Sequence, residues 1–160
     1  MVVEANEFSD AMVINAIEFF LAPGAVEDHV DFFEFYVYMG YCSSDELSTN
    51  YDDNYINGWK YLVFERTSPV TFHSSDPIIN FDTPFFYQPS QGNLVFEIAW
   101  PDGEKEFYTY DSIEDGNTLV HGGYGLETGD QYTLRPHLLI HGDLALEQTT
   151  FAGIKASFRF

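Results

Sequence analysis

The densest chemistry in the chain is a run of Asx side chains. Asn50, Asp52, Asp53, Asn54 and Asn57 all fall within residues 48–58 (STNYDDNYING). Calcium takes roughly six to eight oxygens from carboxylates, amides, carbonyls and water, and this loop offers the right ligand types. It lacks the EF-hand order, which needs glycine at the sixth position and glutamate at the twelfth. Asx side chains also build plain turns by bonding the backbone two residues on. The loop therefore reads either as a calcium site or as turn chemistry. Asp111, Glu114 and Asp115 form a second acidic loop with the same two readings.

Aromatic side chains are the second group. Tyr36, Tyr38, Tyr51, Tyr55 and Trp59 lie close together in the chain. Tyr and Trp rings stack on sugars or anchor protein interfaces at low entropic cost. If Phe35 and Val37 point inward along a strand, Tyr36 and Tyr38 point outward. A second sheet or a long loop covering those rings is the competing reading.

Other constellations carry less. His137, His141 and Asp143 would share a strand face that could hold zinc, but His137 and His141 would stand about 13 Å apart at the strand rise. Glu18, Glu97, Glu104 and Glu106 invite a paired-carboxylate glycosidase, yet a chain with 26 acidic residues always offers pairs. Nucleophile-elbow, zinc-protease, phosphate-loop and dinucleotide motifs do not occur. Cys42 is the single cysteine, so no intrachain disulfide forms, and its acidic neighbours disfavour a thiolate. The residues point to binding, not to an enzyme.

Charge narrows the partners. Six basic residues face 26 acidic ones, a formal charge of −20 over 160 residues. Phosphate backbones and anionic membrane surfaces are repelled by such a chain. Cations, glycans and other protein subunits remain, beside the plain effect of acid on solubility. The longest apolar runs are too short to span a bilayer, so no membrane insertion is expected. Residues 1–10 show no basic segment followed by an apolar run, so an export signal is expected to be absent from this chain.

These side chains must be positioned by strands. A period of two runs through residues 13–21, 33–39, 60–65 and 94–100, and more weakly through 70–72, 78–81, 106–110, 118–121, 137–141 and 154–160. Turn signals separate them at Pro23-Gly24, 89–93, Pro101-Asp102-Gly103, 115–117 and Gly122-Gly123. One short helical turn is predicted at 43–47, with Ser44 as its cap. Short, regularly spaced strands predict an all-β chain folded as an antiparallel β-sandwich, jelly-roll-like, over residues 1–160 as a single domain. Residues 152–160 (AGIKASFRF) alternate again and read as a last strand, or as an extra one exchanged with a neighbouring copy.

Three stretches carry a resemblance: 11–22 (AMVINAIEFFLA), 36–65 (YVYMGYCSSDELSTNYDDNYINGWKYLVFE) and 82–100 (DTPFFYQPSQGNLVFEIAW). Together they resemble β-sandwich modules of large secreted or surface-anchored bacterial proteins, over the first two-thirds of the chain. That family brings no established catalytic residues. The resemblance implies a secreted or cell-surface location and a role in adhesion, display or structure; self-assembly into a homo-oligomer or polymer through edge strands is the expectation that the alternating segment 152–160 adds. The alternative is a carbohydrate-binding module that uses Tyr36, Tyr38, Tyr51, Tyr55 or Trp59 and a structural calcium ion.

Overall fold

The computed structural model describes residues 1–20, 29–73, 78–101, 109 and 111–145. Its strands are β1 (Val2–Val3), β2 (Met12–Phe19), β3 (His29–Phe32), β4 (Phe35–Cys42), β5 (Lys60–Arg66), β6 (Val70–His73) and β7 (Ile78–Tyr87). They continue with β8 (Asn93–Ala99), β9 (Asp111–Ile113), β10 (Leu119–His121), β11 (Asp130–Tyr132), β12 (Leu134–Pro136) and β13 (Leu138–Leu144). The chain is all-β, and every strand pair is antiparallel. Short 3-10 turns at Ala5–Glu7, Asp52–Asn54, Ile56–Gly58 and Pro89–Gln91 are the only helical elements among the described residues.

Two sheets dominate. One has the order β1-β8-β4-β5 and the other β13-β2-β7, and three two-stranded ribbons (β3-β6, β12-β9, β10-β11) complete the set. Inward side chains of both larger sheets meet in one cluster. Ile14, Ile17 and Phe19 of β2 join Ile79, Phe85 and Tyr87 of β7, against Phe35, Val37 and Met39 of β4 and Leu94 and Phe96 of β8. Each large apolar side chain removed from water there contributes about 1.5–3 kcal/mol before the entropy of ordering is subtracted. The β3-β6 ribbon is tied to this core by rings: Phe32 lies 5.0 Å from Phe35 and 5.7 Å from Trp100 between centroids.

Several expectations change in detail. Residues 33–39 are not one strand: Phe32 and Phe35 are both buried, and Phe33 between them is 68% exposed. A bend at Phe33 and Glu34 lets β3 leave for β6 while β4 enters the large sheet. No helical turn forms at 43–47; the Ser44 hydroxyl does accept the Glu46 N–H at 3.1 Å, but the local bond closes a bend. Pro84 lies inside β7, in the stretch 81–84 that has no partner on β2, where its missing N–H costs no ladder bond. The predicted strand at 106–110, apart from residue 109, and the whole of the segment 152–160 lie outside the described residues.

Candidate functional site

Strand alternation builds a second, outer face on the four-stranded sheet. Tyr36, Tyr38, Gly40 and Cys42 of β4 share it with Ala99, Glu97, Val95 and Asn93 of β8, their register partners. The segment 43–59 folds back over half of this face. Leu47 and Tyr55 from that segment bury Val2, Cys42 and Val95 in a small second core. Cys42 is therefore not among acidic side chains, as its sequence neighbours suggest, but inside an apolar cluster at 3% exposure.

Glycine makes this packing possible. A Cβ on Gly40 would stand 2.6 Å from Cδ1 of Tyr55 and 2.7 Å from the Trp59 carbonyl oxygen. The Tyr55 hydroxyl then donates to Glu97 at 3.2 Å. Glu97 also pairs with Lys60 at 3.2 Å, and Lys60 reaches Asp52 at 3.6 Å. The Lys60 ammonium lies 5.0 Å from the Tyr38 ring centre and 5.6 Å from that of Tyr55, within cation–π range. Burial, reinforced by the Glu97 carboxylate, pushes the Tyr55 phenol far above its ordinary value. Tyr36 stacks on Tyr38 with ring centres 6.4 Å apart. Its hydroxyl donates to Glu34 at 2.8 Å, and that bond pushes its pKa up to about 12.

The five aromatic candidates thus separate. Tyr38 and Tyr55 gather on the outer face around Lys60 and Glu97, and Tyr36 stacks on Tyr38. Tyr51 is an anchor: its hydroxyl is wedged between Gly122 and Gly129, and its N–H donates to the Glu127 carbonyl at 3.1 Å. Trp59 lies on the other side of β5's starting point. It is 66% exposed and lines a shallow pocket of about 140 Å³ with Tyr41, Ile56, Tyr61 and Gln91.

The Asx residues separate as well. Asn54 is buried, and its carboxamide staples the loop: Oδ1 accepts the Ser48 N–H at 2.7 Å, while Nδ2 donates to the carbonyls of Ser48 and Asn50 at 3.1 and 3.0 Å. Asn50 Oδ1 accepts the Asp52 N–H at 3.1 Å, an Asx turn. Asp52 is drawn to Lys60, Asp53 is exposed, and Asn57 takes the left-handed region at φ 56. Among the described residues no group of three or more His, Cys, Asp or Glu side chains is placed to hold a metal ion. His141 instead meets Glu18 at 2.8 Å, across β13 and β2.

A larger cavity of about 400 Å³ opens beside Phe8, Phe20, Leu138 and Ile140. In its polar wall Arg135 holds Glu7 through two bonds of 2.7 and 2.9 Å. Sequence reasoning passed over Tyr41, Tyr61 and Gln91. Tyr61 sits in the alternating run 60–65, and its place opposite Lys60 in that alternation was the available signal. Gln91 has no sequence signal of its own; only the 3-10 turn Pro89–Gln91 brings it to Trp59.

Lys60, Arg66 and Arg135 are the basic side chains among the described residues, and each faces a carboxylate: Glu97, Asp82 and Glu7 respectively. No family model, no curated protein and no solved structure matches this chain.

Proposed function

We propose that this chain is a non-catalytic extracellular module that adheres through surface aromatic rings. The carrying observation is the pair Trp59 and Tyr61, 66% and 51% exposed at the head of edge strand β5. Large rings left in water on a chain of formal charge −20 are a feature of recognition surfaces. The shared core of the two larger sheets supports a jelly-roll-like sandwich, similar to the modules of large secreted bacterial proteins. Edge strand β13, with Leu139 and Leu144 exposed, supplies a route to self-assembly by strand addition.

The test is retention of the labelled chain on intact bacterial cells and on isolated cell-wall material. Replacing Trp59 and Tyr61 by Ala together should abolish retention while leaving the circular-dichroism spectrum unchanged. Undiminished retention of that double variant would overturn the reading. Sizing of the pure protein over a concentration series checks the assembly route separately.

A further inference from the structure

We propose that Tyr41, Ile56, Trp59, Tyr61 and Gln91 form a subsite for one pyranose ring of a neutral glycan. This inference rests on the adhesive reading above and gives its ligand a chemistry. The pocket, about 140 Å³, is well below a drug-sized site and suited to one small ring lying flat.

Its walls are prepared in advance. The Tyr41 hydroxyl donates to the Phe86 carbonyl at 3.2 Å and accepts the Gln88 N–H at 3.0 Å, while its ring stacks on Tyr87 with centres 5.6 Å apart. Tyr61 leans on Phe85 at 5.7 Å, so both rings are backed by the main core. Rings held in place before binding lose little freedom on contact, which favours affinity. Trp59 stands out from this wall as the exposed ring against which a ligand can stack.

The chemistry of the lining selects the ligand. None of the five side chains carries a charge at neutral pH, in a chain where acid outnumbers base 26 to six. A cation would find its carboxylates elsewhere, and an anion is repelled by the whole molecule. A pyranose offers an apolar C–H face to the rings and hydroxyls at its rim. Gln91 donates its Nε2 to Gln88 at 3.0 Å, which orients its Oε1 and leaves that atom to accept from a sugar hydroxyl. Lys60, next to Trp59 in the chain, is turned to the other face of the sheet and held by Glu97.

The experiment titrates the full chain with cellotriose, maltotriose and triacetylchitotriose at millimolar concentration, reading tryptophan fluorescence and calorimetric heat. At least one should bind saturably. Trp59→Ala should weaken it by at least about tenfold, the loss expected for a stacking anchor. Gln91→Ala should weaken it by about threefold to tenfold, and Trp59→Phe should restore most of the affinity. A Phe- and Leu-rich neutral peptide is the control, and saturation by that peptide alone would overturn the sugar assignment. Failure of all three glycans, with cell retention still lost in the Trp59 and Tyr61 double variant, would overturn the subsite and leave the adhesive surface standing. Failure of both would remove the two readings together.

Discussion

The Tyr55 ring occupies the space that any side chain on Gly40 would need. The closest approach of a built Cβ, 2.6 Å to Cδ1, is to a ring pinned by a hydrogen bond to Glu97, so it cannot simply swing away. Gly40→Ala is expected to destabilise the fold by about 1–3 kcal/mol through overpacking. Urea unfolding measures it, and Tyr55→Leu in the same background should recover part of the loss. An unchanged midpoint in Gly40→Ala would show that the ring is free to move.

Alkaline stability should report the Tyr55 phenol. Burial and Glu97 hold it neutral in the folded protein, whereas the unfolded chain ionises it near pH 10. Above that pH the unfolded state carries fewer protons, so stability falls as pH rises. Tyr87, raised to about 12 by burial, adds to the same slope. Tyr55→Phe should therefore flatten the decline of the melting temperature between pH 9 and pH 11 without removing it, a window set by the ordinary phenol value.

Asn54 makes a prediction about the Asx loop. Asn54→Ala strands the Ser48 N–H and two carbonyls and should cost about 1–3 kcal/mol. Asn54→Asp keeps the acceptor but turns an ionised oxygen toward those carbonyls. Its acid form is then favoured in the fold, so this variant should gain stability as pH falls from 7 to 5, the range over which a raised carboxyl titrates. Chemical denaturation of both variants at the two pH values decides the point.

Cys42 should be silent to thiol reagents. It is 3% exposed inside the cluster of Val2, Leu47, Tyr55 and Val95. Labelling by a water-soluble disulfide reagent should proceed only through opening of segment 43–59, at a rate that rises with low urea and rises further in Gly40→Ala. Immediate full labelling of the native protein would mean that this segment does not cover the sheet.

The strand rhythm was readable because one face of each sheet is buried. Residues 60–65 and 94–100 appear as β5 and β8 within a residue or two at each end. The outward direction of Tyr36 and Tyr38 also followed from period two. What escaped were features that alternation does not encode. The bend at Phe33 interrupts a run that looks continuous, and β11 and β12, three residues each, are too short to show a period. At the candidate site Trp59 was visible as an aromatic residue, but its neighbours come from β4, β5 and two separate 3-10 turns. The sequence places Tyr55 beside Trp59, while the chain sends one ring into the core over Gly40 and the other into water on the opposite side.

The pairing of Lys60, Arg66 and Arg135 with carboxylates has a consequence for association between copies. With those three cations paired internally, a chain of formal charge −20 meets its copies with a net repulsion that reaches about 10 Å at 0.1 M ionic strength. Copies approaching edge to edge must work against that repulsion, so assembly should strengthen as the electrolyte is raised. Proteins that grip polyphosphates show the reverse trend, weakening steeply as counterions return.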